Sequence, residues 1–168
     1  MSRPKTGARI LIYNRTKIPY AVLSELARCS ASFVKLPARS RVHLMFTWGK
    51  NTHGQARYTR GKKETWLRVR IARGLKQLPG VELAFSVFLV TVHELFHAHE
   101  FLTGKLDPSE ATASRRRLRW ESRPHEQRAV IREGGAGIAV LMNREGARSR
   151  RAVRELARAL CDLGIVFA

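Results

Sequence analysis

The sequence predicts an α+β fold built as one domain over residues 1–168. Three observations carry this. Leu67, Val69 and Ile71 alternate with Arg68 and Arg70, the period-2 signature of a half-buried strand. Leu83 to Val92 is apolar on every side, as in a buried helix. Val153, Leu156, Ala157 and Leu160 repeat at helical spacing near the end of the chain. A chain of 168 residues that is 44% hydrophobic has the length for one compact domain and the apolar content for a core. No repeat, low-complexity tract or second domain interrupts it.

Taken in order, Ala8 to Tyr13 alternates weakly and reads as a short strand. Pro19 suits the first turn of a helix whose apolar stripe is Val22, Leu23, Leu26 and Phe33. Val42, Leu44 and Phe46 alternate with His43 and Met45, marking a second strand. Thr47 to Lys63, rich in Gly and polar residues, reads as a long loop or ragged hairpin. After the alternating strand, Pro79-Gly80 makes a turn, the buried helix follows, and Gly104 suits the position just past its end. That apolar run is too short for a membrane span, and His and Glu interrupt it. Lys105 to Glu121 is polar and reads as a loop, with Pro108 and Ser109 placed to open a helical turn. Pro124 begins another helix that Gly134-Gly135 ends or kinks, and Gly164 closes the last one. Strands come mainly before helices, the order of an α+β protein.

Cys29 and Cys161 lie in separate helical segments and form no C-x-x-C pair, which sets aside zinc-ribbon and thioredoxin-like readings. The basic Ser2 to Arg9 stretch is followed by only four apolar residues, so no signal peptide is expected. Reduced thiols in a cytoplasmic protein, with no membrane partner, are the simplest expectation. The net charge of +19 suggests a polyanion, and nucleic acid bound through an Arg-rich surface is the partner it implies. The densest run is Arg115-Arg116-Arg117-Leu118-Arg119, with Trp120 beside it to stack on a base or to anchor a loop. However, the charge is spread along the chain, and 24 of the 32 basic residues are Arg, as a GC-rich coding sequence would also produce.

His93-Glu94-Leu95-Phe96-His97 carries the chemistry. Positions i and i+4 of a helix lie about 40° apart around the axis, so His93 and His97 can aim at one point. Two neutral imidazoles suit Zn²⁺, and Glu94, roughly 100° around, can reach a water held there. Between Gln77 and Gly104 there is no Lys or Arg, which suits a cation site and equally suits a core helix. A catalytic zinc needs a third protein ligand. His99 faces away from His97, and Glu100, one turn on, suits orienting a ligand better than binding metal. Glu110, Glu121, His125 and Glu126 remain downstream, and Glu126 is favoured because it opens a separate helix near Pro124.

Thr91 to His97, with Glu126-Gln127-Arg128-Ala129 29 positions beyond His97, resembles the zinc-binding core of small gluzincin metallopeptidases, including minimal ImmA/IrrE-type proteases. The resemblance covers roughly residues 65–130. It implies a minimal zincin-like domain, with a small antiparallel or mixed sheet packed on the H-E-x-x-H helix. It also implies that His93, His97 and Glu126 bind Zn²⁺, that Glu94 is the general base, and that the substrate is a protein or peptide. Thr65 to Ala72 resembles the edge strand that lines the substrate in that fold, so a peptide is expected to add beside Leu67 to Ile71. His125 is the rival ligand and would give the all-His site of Spartan-type proteases. The metzincin pattern is excluded, because positions 100 and 103 are Glu and Thr. Gluzincins usually add an oxyanion-stabilising Tyr or His. Here no Tyr follows Tyr58, leaving His125, Arg123 and Arg128 as the downstream candidates. The second function class is a basic nucleic-acid-binding protein with a non-catalytic zinc.

Overall fold

Alternation along the strands and apolar helix faces decide the layering. The computed structural model describes residues 7–58, 63–73, 79–104, 112–114, 117–121 and 146–166. Strand β1 (Arg9–Arg15) leads into helix α1 (Tyr20–Ala31), then β2 (Arg41–Gly49), β3 (His53–Tyr58) and β4 (Glu64–Ala72). The long helix α2 (Gly80–Thr103) follows, then β5 (Thr112–Ser114), β6 (Arg117–Glu121) and helix α3 (Ala147–Asp162). The protein is α+β, with one mixed sheet ordered β1-β2-β4-β3-β6-β5. β1, β2 and β4 run parallel, while β3 is antiparallel to both β4 and β6.

Cross-strand partners share a face, so register shows what each face holds. Val42, Leu44 and Phe46 of β2 lie beside Thr65, Leu67 and Val69 of β4, and all are buried. This face meets the helices: α2 packs on β4 and β3, and also against α1 and α3. Leu23 and Leu26 of α1, Val87, Phe88 and Leu95 of α2, and Leu156 and Leu160 of α3 are fully buried between them. Phe33, just past the end of α1, adds an edge-on contact to Phe88 at 5.8 Å. By length and composition α2 is apolar enough to cross a membrane, but 61% of its most apolar window is buried inside this fold.

One open reading is decided and two expectations are corrected. Of the two readings of Thr47 to Lys63, long loop or ragged hairpin, the hairpin is the one found: β3 lies within this tract and pairs antiparallel with β4. The polar tract Lys105 to Glu121 contains β5 and β6, so Arg117 to Arg119 is strand. Thr65 to Ala72 is an inner strand, with β2 on one side and β3 on the other. A peptide therefore has no open edge beside Leu67 to Ile71. Pro108 and Ser109, and the helix expected from Pro124 to Gly134-Gly135, lie outside the described residues.

The helix ends follow their signals. Pro19 and Pro79 sit just before α1 and α2, with φ near −55° and −58°, where a missing N–H costs nothing. Gly104 and Gly164 take the left-handed φ of 69° and 67° that ends α2 and the turn after α3. Cys29 and Cys161 are free thiols, and burial is the main cause that pushes Cys29 up.

A forked contact joins α1 to α3: Arg148 Nε and Nη2 donate to the two Glu25 carboxylate oxygens at 2.5 and 3.1 Å. Hydrogen bonding from Arg148, with its charge, holds Glu25 below the usual carboxylate range. A lowered folded pKa adds stability above the unfolded value, near pH 4.3, and loses it as pH falls through the folded value. Both side chains are solvent-accessible, so the effect is small. Glu25→Gln should lower the melting temperature slightly at neutral pH, and the difference should vanish in acid. Thermal melts of both proteins across that range check this.

Candidate metal centre

Helix α2 is apolar enough to sit against the sheet, and its spacing brings His93, Glu94 and His97 to the side where β3 passes. Both histidines are half-buried, whereas Glu94 has 0% exposure. The Nε2 atoms of His93 and His97 lie 3.0 Å apart, with the rings nearly perpendicular. Two imidazole nitrogens each about 2.0–2.1 Å from a tetrahedral zinc would be roughly 3.3 Å apart. The convergent pair therefore fits two corners of such a site with small adjustment. His97 Nδ1 lies 3.3 Å from Glu100 Oε2. An Nδ1–H donated there leaves Nε2 with its lone pair directed toward His93, the arrangement a metal-ligating histidine uses. His97 also stacks on the buried Phe101 at 6.1 Å, which fixes the ring plane. His99 turns away, its Nδ1 2.6 Å from the carbonyl of Lys35.

Glu94 lies where the sheet makes room for it. At Gly54 of β3, a Cβ would sit 2.0 Å from Glu94 Oε1 and 2.4 Å from its Cγ. Only a residue without a side chain leaves this space, and the next inward position, Ala56, is also small and fully buried. Both fall in the tract whose composition reads as a long loop or ragged hairpin. The signal available there is small residues at every second position, Gly54 and Ala56, between the polar His53, Gln55 and Arg57. Burying a carboxylate this deeply is costly, and a site that positions a proton acceptor is one place where such burial is found.

The structure brings His93, Glu94 and His97 together. Among the described residues no group of three His, Cys, Asp or Glu side chains is arranged to hold a metal. Glu126 and His125, the expected and rival third ligands, lie outside the described residues, as do Glu110, Arg123 and Arg128. Glu121 is the last residue of β6, paired with Gln55. Comparison of the chain with protein-family models, curated protein sequences and solved structures returns no match.

The Gly54 contact makes a prediction. Gly54→Ala should destabilise the fold by about 1–3 kcal/mol through overpacking against Glu94. In a Glu94→Ala background most of that cost should disappear, because the new methyl enters space the carboxylate vacates. Urea denaturation of the four proteins measures the coupling, and equal costs in both backgrounds would refute it.

Proposed function

We propose that this chain is a zinc-dependent metallopeptidase of the gluzincin type, on a minimal zincin-like domain. The observation that carries the reading is the convergence of the His93 and His97 Nε2 atoms beside the buried Glu94. His93 and His97 would hold the ion from α2, and Glu126 would complete the set. When bound, zinc supplies Lewis-acid polarisation of the scissile carbonyl and lowers the pKa of its water toward about 7. Glu94 then takes a proton from the attacking water and returns it to the leaving amine. Glu100 keeps the His97 ring in orientation. Packing beneath β3 keeps Glu94 away from bulk solvent, so its position relative to the two rings is set before substrate arrives.

Peptide cannot add beside Leu67 to Ile71, because β2 and β3 occupy both sides of β4. Among the described residues, β6 covers only Gln55 to Tyr58 of the β3 edge. The stretch His53-Gly54, directly over Glu94, is left outside that pairing. Extended peptide is best accommodated there, with backbone hydrogen bonds setting its register.

Zinc content tests the ligands. Purified protein should hold about one Zn²⁺ per chain, and His93→Ala and His97→Ala should each abolish it. Glu126→Ala should lower affinity strongly, while Glu100→Ala and Glu121→Ala should leave occupancy nearly intact. A larger drop in His125→Ala would replace the gluzincin assignment with the all-His one. Wild-type protein that takes up no zinc at micromolar levels would sink the proposal.

Glu94→Gln tests the chemistry separately. The variant keeps size and hydrogen-bonding capacity but removes the base. It should therefore fold and retain zinc while losing peptide hydrolysis by at least about 10². Cleavage of a denatured protein, or autocleavage on storage, is the practical assay. An unchanged rate would show that the activity arises elsewhere.

A further inference from the structure

The sheet has a second face, and its chemistry is unlike that of the first. Register places Tyr13 and Arg15 of β1, His43 and Met45 of β2, and Trp66, Arg68 and Arg70 of β4 away from the helices. Among the described residues no helix packs on this side. Two large aromatics stand open on it, Trp66 at 41% exposure and Tyr13 at 37%. They form one platform around His43. The His43 and Trp66 rings stack at 4.0 Å within 6° of parallel, and Tyr13 lies 5.3 Å from Trp66 and 5.7 Å from His43.

Hydrogen bonds hold the platform rigid. His43 Nε2 pairs with the Glu64 carboxylate, and the Tyr13 hydroxyl is 2.9 Å from His43 Nδ1. An acceptor-only carboxylate at Nε2 makes that nitrogen the donor, so Nδ1 accepts the Tyr13 proton. The central ring is thereby fixed in plane, with its neighbours stacked around it. A solvent-facing Tyr and Trp on a sheet gain little for the fold by being exposed. Their ordered arrangement is that of a surface prepared to take a flat ring.

One strand step further, the same face opens into a cleft of about 620 Å³. Arg15, Lys50, Arg68, Arg70 and His53 line it, and among the described residues no Asp or Glu does. Arg15 is two residues beyond Tyr13 on β1, and Arg68 and Arg70 are two and four beyond Trp66 on β4. Same-face positions on a strand are separated by about 6.6 Å. Arg70 Nη1 lies 3.0 Å from His53 Nε2. Asn51 holds the other side of that histidine through its carbonyl, 3.2 Å from Nδ1. Arg15, Lys50 and Arg70 in one concavity make it a favourable place for an anionic ligand.

The geometry points to a binding site for single-stranded nucleic acid across this face, with a base stacked on the Trp66–Tyr13 platform and the adjoining phosphates in the Arg15–Arg68–Arg70 cleft. An aromatic platform beside a cationic groove is what unpaired bases and their backbone require. Duplex hides its base faces, so it would use the cations but not the platform. A non-aromatic polyanion would likewise be indifferent to Trp66. The site also differs from the Arg115 to Arg119 run expected from sequence. Arg117 to Arg119 belongs to β6, which β3 separates from β4.

Fluorescence anisotropy of a labelled oligothymidylate, titrated with the full chain, tests this. The single strand should bind more tightly than a duplex of the same length, with affinity falling steeply as salt rises. Trp66→Ala should weaken single-strand binding roughly fivefold to a hundredfold, and Trp66→Phe should retain most of it. Arg15→Gln and Arg70→Gln should each flatten the dependence of log affinity on log salt, by about 0.7 for every phosphate the arginine neutralises. Circular dichroism melts confirm that each variant is folded. Equal binding of single strand and duplex, an unaffected Trp66→Ala, or weakening only when Arg115 to Arg119 are neutralised would each overturn the assignment. The readout involves neither zinc nor hydrolysis, so this site and the peptidase reading stand or fail separately.

Discussion

Close approach of a buried carboxylate to a strand with no side chain is the interaction on which the arrangement turns. Glu94 occupies the volume a Cβ at Gly54 would need. The distance between α2 and β3, and their register along each other, therefore depend on one glycine. Ala56, two residues on, extends the shallow track under which the helix lies. Once Glu94 is seated, helical geometry leaves little choice for its neighbours. Leu95 turns into the core, Phe96 turns outward at 47% exposure, and His93 and His97 stand over one another. The convergence of the two Nε2 atoms is thus a consequence of how the helix is docked, as well as of i, i+4 spacing.

Strand alternation then divides the chemistry between two sides. In β4 the odd positions 65 to 71 are buried under the helices, and Trp66, Arg68 and Arg70 go to the other face. β2 repeats the pattern with Val42, Leu44 and Phe46 inside and His43, Met45 and Thr47 outside. A one-residue slip in either strand would exchange the two sets, so burial of the apolar set also fixes the aromatic and cationic one. The hydrophobic core places the arginines without any requirement that they contact one another.

The same physics decides how much of the molecule is legible in its sequence. Elements with strong periodicity read directly: Leu67 to Ile71, the apolar run of α2, and Val153 to Leu160. Gly104 and Gly164 mark the ends of helices because positive φ has few other occupants. β3 is legible only as one arm of a ragged hairpin, undivided from a long loop, because Gly54 and Ala56 pack by being small, which leaves no hydrophobic signal. β6 escapes a direct reading because Arg117, Arg119 and Glu121 make a strand look like a polar loop. The inner position of β4 is not legible at all, since strand order is set by pairing with residues distant in sequence. In the candidate site, spacing alone makes the H-E-x-x-H residues evident. The contribution of Gly54 depends on a strand that composition conceals.

Net charge is the last quantity the architecture clarifies. A chain of +19 is a poor setting for a bound cation if its arginines surround the site. The absence of Lys and Arg between Gln77 and Gly104 has two readings, core helix or metal site, and the burial of much of α2 accounts for the first. α2 packs against β3, β4, α1 and α3, so much of its length meets apolar neighbours, while its exposed positions Val81, Glu82, Phe96, Glu100 and Thr103 carry no cationic side chain either. Arg68 and Arg70 come from the adjoining strand, but alternation sends them through the sheet to the opposite side. Arg151 and Arg154 of α3 lie on the solvent side of that helix, opposite the buried Ala152, Val153 and Leu156. The fold thus keeps an imidazole pair and a buried carboxylate on one side of a sheet whose other side carries Arg15, Arg68 and Arg70, so the proposed metal site and the proposed nucleic-acid site would not compete for the same surface.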